Sequence, residues 1–179
     1  IGAVKTNKVL FESKKAVHRA EIKKGNIVKI ELQKPHSLKT NVSVSTKGGI
    51  VKGGFINTGV PHFVTVVKDI EKTDVVGLGR EIRHSESFSK EGANVNFVQF
   101  KNNLLHIRTY ERGVESETLA CGTGSVASAI IFSISKNQQQ PIKLLTRSKE
   151  ILTVYLDRDF ANVWLEGKVT LVFKGTLCL

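Results

Sequence analysis

Glu111-Arg112-Gly113-Val114-Glu115-Ser116-Glu117-Thr118-Leu119-Ala120-Cys121-Gly122-Thr123-Gly124 is the stretch that organises this chain. The cysteine is followed at once by a Gly-Thr-Gly turn and then by Ser125–Lys136, where Val126, Ala129, Ile130, Ser133 and Ile134 recur at helical spacing. A thiol placed there faces exposed backbone N–H groups and the positive end of a helix dipole. That setting predicts a lowered thiol pKa and a reactive thiolate. The same N–H groups can hold a carboxylate beside the sulfur. Upstream, Glu111-Arg112 closes on a glycine, and Asn94 and Asn96 come from the preceding strand. Carboxylates and amide oxygens suit an ammonium, whereas a guanidinium and N–H groups suit a carboxylate; a zwitterionic amino acid needs both.

Phosphate-binding readings of the same glycines fail. Gly122 to Ala127 formally matches G-x-G-x-x-A, but ten residues separate Cys121 from the strand ending at Tyr110, and no acid stands near residue 142. No Gly-Lys-Ser/Thr follows at P-loop spacing.

Working outward, the pattern is rich in strands. Residues 8–13, 16–23 and 27–32 read as strands, with Lys14-Lys15 and Gly25-Asn26 between them and a helix over 7–19 as the alternative. Thr40–Thr46 alternates, and Gly48-Gly49 and Gly53-Gly54 bracket a domain junction. Asn57-Thr58-Gly59-Val60-Pro61-His62-Phe63 leads into the β-branched run 64–67. Residues 69–83 read as an interrupted helix, 94–100 and 104–110 as strands, and 137–140 as a polar linker. Closing strands follow at 142–146, 151–156, 161–165 and 168–174. The class is α+β with one dominant helix. Its parts are 1–50, 51–165 with the cysteine motif, and a closing strand in 166–179.

Length and an apolar content of 40% fit a globular protein of one or two domains. No apolar run approaches a membrane span and no leader pattern opens the chain, so a cytoplasmic protein is expected, with no membrane partner. Residues 1–52 hold twelve Lys or Arg against three acids, +9 of the net +11. Those lysines stand singly along strands with little aromatic interleaving, a solvated basic face and no nucleic-acid groove. Two cysteines, Cys121 and Cys178, cannot form a disulfide framework, and neither has a CxxC partner. His18, His36, His62, His84 and His106 lack metal-ligand spacing, so no metal is expected.

The segment Thr109–Gly124 closely resembles the second active-site motif of the diaminopimelate epimerase family. Asn57–Phe63 and Gly92–Val98 resemble two further stretches of that family in the same order, and the final strands resemble its C-terminus. The resemblance runs from about residue 20 onward. It implies two similar halves, each a strand-rich, barrel-like sheet around a central helix, facing each other across a cleft. It also implies an epimerisation at Cα without pyridoxal phosphate or any other cofactor, in which one cysteine removes the α-proton and a second returns one on the opposite face. That activity would serve lysine and peptidoglycan biosynthesis. On this match Cys121 is one catalytic cysteine, Gly122 and Thr123 bind the substrate α-carboxylate, Glu111, Arg112 and Asn94 hold the rest of the amino acid, and His62 lies near the site. A homodimer is implied as well.

Departures from the family pattern shape the expectation. The first cysteine motif, of Cys-Gly-Asn-Gly-x-Arg type, is missing, and Cys178 does not match it. The chain starts at Ile1 and contains no methionine. A C-terminal fragment with half an active site, inert alone, is therefore expected. Val60 stands where many members have asparagine, and the spacer from Arg112 to Cys121 is about one residue longer. The alternatives are a related amino-acid racemase or isomerase of the same fold, or a non-catalytic basic binding module.

Overall fold

Strict alternation in the central strands assigns each side chain to one of two faces, and the two helices occupy those faces. The structure, a computed structural model, describes residues 6–13, 16–88, 90–137 and 141–176; Lys14-Lys15, Gln138 to Gln140 and Cys178 lie outside them. The strands are β1 (Lys8–Ser13), β2 (Ala16–Lys23), β3 (Ile27–Leu32), β4 (His36–Thr46), β5 (Gly49–Asn57), β6 (Pro61–Val66), β7 (Asn94–Lys101), β8 (Leu104–Glu111), β9 (Ser116–Thr118), β10 (Ile142–Leu145), β11 (Ile151–Leu156) and β12 (Val163–Lys168). Helix α1 covers Val75–Arg83 and α2 covers Gly122–Lys136. The α+β expectation holds.

The strands form one sheet in the order β1-β2-β3-β12-β11-β10-β8-β7-β6-β5-β4, with β9 paired to β8. All pairs are antiparallel except β6 with β7 and β10 with β8. Val64, Val98, Ile107, Leu144, Val154 and Val163 point to one face and bury Val126, Ala127, Ala129, Ile130 and Phe132 of α2. Phe63, Val95, Phe97 and Tyr110 point to the other, against Val75 and Ile82 of α1. Where α1 crosses Tyr110 it does so at Gly79, whose hypothetical Cβ would come within 2.5 Å of the tyrosine Cβ.

Because the sheet wraps α2, that helix is buried almost all round: Ala127 and Ser128 are buried as fully as Val126 or Ile130, and Phe132 is buried too, while Ile134 is exposed. The expected one-sided stripe is therefore a central helix. It also starts three residues earlier, at Gly122. Helix α1 is shorter than the expected 69–83. Asp69 Oδ1 accepts from the Glu71 and Lys72 N–H groups, and Asp74 caps the helix through Gly77 N–H at 2.9 Å. These local bonds hold the first turn out of the helix.

The last expected strand, 168–174, is corrected: the final strand is β12, and residues 169–176 have no regular structure. A strand needs a ladder partner, and β12 is already flanked by β11 and β3. Among the described residues nothing pairs with Leu171, Val172 and Phe173, which are exposed.

Candidate active site

The face of β6, β7 and β8 that packs on α2 turns polar where it reaches the start of that helix. Val64 and His62 alternate on β6, Val98, Asn96 and Asn94 on β7, and Ile107, Thr109 and Glu111 on β8. Register then brings His62 opposite Asn94, and Asn96 opposite both Val64 and Thr109. Apolar residues on that face fill the core, and the polar ones gather beneath the Cys121 turn.

Cys121 is the N-cap residue of α2, in extended conformation and half-buried, with a free thiol. The first helical bond runs from Ser125 N–H to Cys121 O at 2.9 Å, which leaves the Gly122, Thr123 and Gly124 N–H groups ahead of it. Sγ makes no side-chain cap bond of ordinary geometry, yet the Gly124 and Thr123 N–H groups and the Thr123 hydroxyl favour its charged form. Burial outweighs them. It pushes the Cys121 thiol above its ordinary value, and the Glu111 charge pushes the same way. The expectation of a lowered pKa is thus overturned, because desolvation of a small anion exceeds the help from the helix start.

Thr123 is the hub. Its Oγ1 lies 3.5 Å from Cys121 Sγ and 3.0 Å from His62 Nε2, and its carbonyl accepts from Thr58 Oγ1 at 3.0 Å. His62 is fully buried and stays neutral: burial, then the Arg112 charge, lower its pKa to about 3. Asn96 closes the arrangement, with Nδ2 3.0 Å from His62 Nδ1 and 3.2 Å from Phe63 O, and Oδ1 accepting from Thr109 Oγ1 at 3.0 Å.

The other expected residues sit around this hub. Asn94 uses both ends of its amide on backbone, donating to Pro61 O at 3.2 Å and accepting from Arg112 N–H at 2.8 Å. It therefore positions Arg112 and the strand carrying His62. The Arg112 guanidinium reaches the exposed Glu91 at 3.1 Å. Glu111 ends β8, close enough to raise the thiol's pKa. Thr58, Glu91 and Thr109 were not singled out in the sequence; for Thr109 the signal was its alternation with Glu111, two residues on. Among the described residues no three His, Cys, Asp or Glu side chains could hold a metal, and no helix is long and apolar enough to cross a membrane. A cavity of about 400 Å³ between β4–β6 and the later turns of α2 has Lys52 as its only charged lining residue and no thiol.

Glycine at 124 is required by close approach. A Cβ there would overlap Asn96 Oδ1 and sit 3.2 Å from Cys121 Sγ. Gly124→Ala is expected to displace the Asn96 amide and to cost about 1–3 kcal/mol, read as a lower urea midpoint.

The hairpin that presents Glu111 and Arg112 turns through Gly113 at φ +90° and Glu115 at φ +56°. The Glu115 carboxylate accepts from Gly113 N–H, Arg83 and Tyr110, and its pKa falls to about 2, chiefly through the Gly113 bond. A carboxylate with a depressed folded pKa contributes stability above its unfolded value of 4.5, and loses it as pH falls towards 2. Because the side chain is 40% exposed, screening limits this to about 1 kcal/mol or less. Glu115→Gln should lower stability above pH about 5 by that amount with no change of slope there, and should flatten the acid-unfolding curve below it.

The diaminopimelate epimerase family profile matches residues 54–172. The chain is 48% identical to the diaminopimelate epimerase of Aquifex aeolicus over 96% of its length, covering 62% of that protein. It is 43% identical to that of Hydrogenobaculum sp., covering 94% of this chain and 62% of that protein. Against the Chlorobaculum tepidum enzyme it is 33% identical over 94% of this chain and 65% of that protein. The chain thus spans somewhat under two thirds of the length of these relatives. Among solved structures, a probable proline racemase from Agrobacterium radiobacter aligns with TM-score 0.71 at 15% identity, over 92% of this chain and 59% of that one. A phenazine biosynthesis protein of the PhzF family from Enterococcus faecalis aligns with TM-score 0.66 at 18% identity, over 99% of this chain and 67% of that one. These two likenesses concern the fold alone.

Proposed function

The chain belongs to the diaminopimelate epimerase family, and from that premise we propose that the protein interconverts LL- and meso-2,6-diaminopimelate, a step of lysine and peptidoglycan biosynthesis. The observation that carries the reading is a half-buried free thiol at the start of a central helix, with the Thr123 and Gly124 N–H groups and the Glu111 carboxylate acting on it. Inversion at Cα needs one proton acceptor and one proton donor on opposite faces of the carbon. Cys121 supplies one of them. Its raised pKa keeps it as a thiol at neutral pH, suited to protonating a carbanion, while a thiolate on the other face removes the α-proton. The Gly122 and Thr123 N–H groups receive the α-carboxylate, Glu111 the ammonium, and Arg112 exchanges Glu91 for a substrate carboxylate. Among the described residues Cys121 is the one thiol, and one thiol does not serve both faces.

The test is protection of Cys121 from iodoacetamide. Diaminopimelate should slow alkylation, whereas lysine, which lacks the second carboxylate, and proline should protect far less. Equal protection by proline would favour a sibling racemase, and no protection by any of them would remove the amino-acid site. In the intact protein, Arg112→Ala should raise KM about 10–100-fold with little change in kcat, because a charge-assisted bond contributes roughly 1.5–3 kcal/mol. An unchanged KM would free Arg112 of that role.

A further inference from the structure

The buried bonds beneath Cys121 have a direction, and that direction assigns a task to Asn96. Its amide orientation is pinned by Phe63 O, which only the Nδ2 end can approach as a donor, and by the Thr109 hydroxyl on Oδ1. Nδ2 carries two protons, one for Phe63 O and one for His62 Nδ1 at 3.0 Å. His62 Nδ1 therefore accepts. Since the ring is buried and neutral, its single proton sits on Nε2, which faces Thr123 Oγ1. Thr123 Oγ1 accepts that proton's bond, so its own hydrogen turns to its other close neighbour, Cys121 Sγ.

We infer that Asn96 is a positioning residue that locks His62 in the Nε2–H tautomer and so aims the Thr123 hydroxyl proton at the Cys121 sulfur. A donor held on sulfur favours the thiolate over the thiol. It opposes the burial and the Glu111 charge that act in the other direction, while the Gly124 and Thr123 N–H groups act with it. The relay thereby keeps Cys121 able to lose its proton as well as supply it, which a reversible epimerase requires of each thiol. The meaning of the inference rests on the proposed role of Cys121, whereas its test needs no substrate and no turnover.

The first measurement is the pair of ¹⁵N shifts of the His62 ring in the wild-type protein. The expected result is a protonated Nε2 and a bare Nδ1, unchanged between about pH 5 and 9; a protonated Nδ1 overturns the inference. The second is Asn96→Asp, which puts an acceptor of the same shape where the donor stood. Burial and the Arg112 charge oppose an imidazolium, so the ring proton should move to Nδ1 and leave Nε2 bare. The Thr123 hydroxyl then turns to His62, and alkylation of Cys121 at fixed pH slows about tenfold, one pKa unit. A new carboxylate also acts through space, so the variant is compared with the same change in a Thr123→Val background. The relay predicts a clearly smaller slowing there, and equal slowing in both backgrounds would refute it. Should Asn96→Asp fail to fold, the wild-type tautomer and Thr123→Val alone still decide: removal of the hydroxyl must raise the thiol's pKa. An inactive epimerase with the expected tautomer would sink the functional reading and leave the relay standing.

Discussion

Cys121→Ala in the intact protein is expected to lower epimerisation by at least about 10²–10⁴-fold, the usual loss on removing a proton-transfer group. The fold should survive. Cys121 lies at the half-exposed edge of the core, and Ser125 bonds to its carbonyl, so neither the helix start nor the packing of α2 depends on the sulfur. Far-ultraviolet circular dichroism should match the wild type while meso product falls to background. Activity near the wild-type level would mean that Cys121 takes no part in the chemistry.

The second large effect is on stability and comes from His62. Burial lowers its pKa from 6.5 to about 3, so between those values the unfolded chain binds a proton that the folded protein refuses. Stability therefore rises with pH across this window, and falls as pH drops from 6.5 towards 3. At 1.36 kcal/mol per pH unit the whole window amounts to about 4–5 kcal/mol, comparable to the total stability of a modest domain. Urea unfolding at pH 7, 6, 5 and 4 should show that slope beginning near 6.5, above the region where Glu115 and other carboxylates contribute. His62→Gln should be less stable at pH 7 and should lack the upper part of the slope. A flat profile between pH 7 and 5 would mean that the histidine titrates normally.

Much of this site could be read from residues alone, because its parts are local or periodic. The Cys-Gly-Thr-Gly turn announced the start of a helix, and Asn94 and Asn96 were read on the strand that precedes it. What could not be read was long-range. Nothing near Cys121 in sequence says that the sheet wraps α2, yet that wrapping buries the helix all round and raises the thiol that its N-terminus alone would lower. Asp74 looked like part of a helix, and tertiary placement made it the cap. The parallel pairing of β6 with β7 brings His62 beside the asparagines from some thirty residues away, a juxtaposition that no spacing encodes. The apolar run after Lys168 carried a strand pattern, but a pattern does not supply a ladder partner.

The most direct test of the central claim is incubation of the intact protein with LL-2,6-diaminopimelate in D₂O, with the stereoisomers resolved and their deuterium located. The account predicts meso-diaminopimelate carrying one deuterium at the inverted α-carbon, and neither product nor label with Cys121→Ala. Formation of unlabelled meso product, or the same yield from the variant, would contradict it.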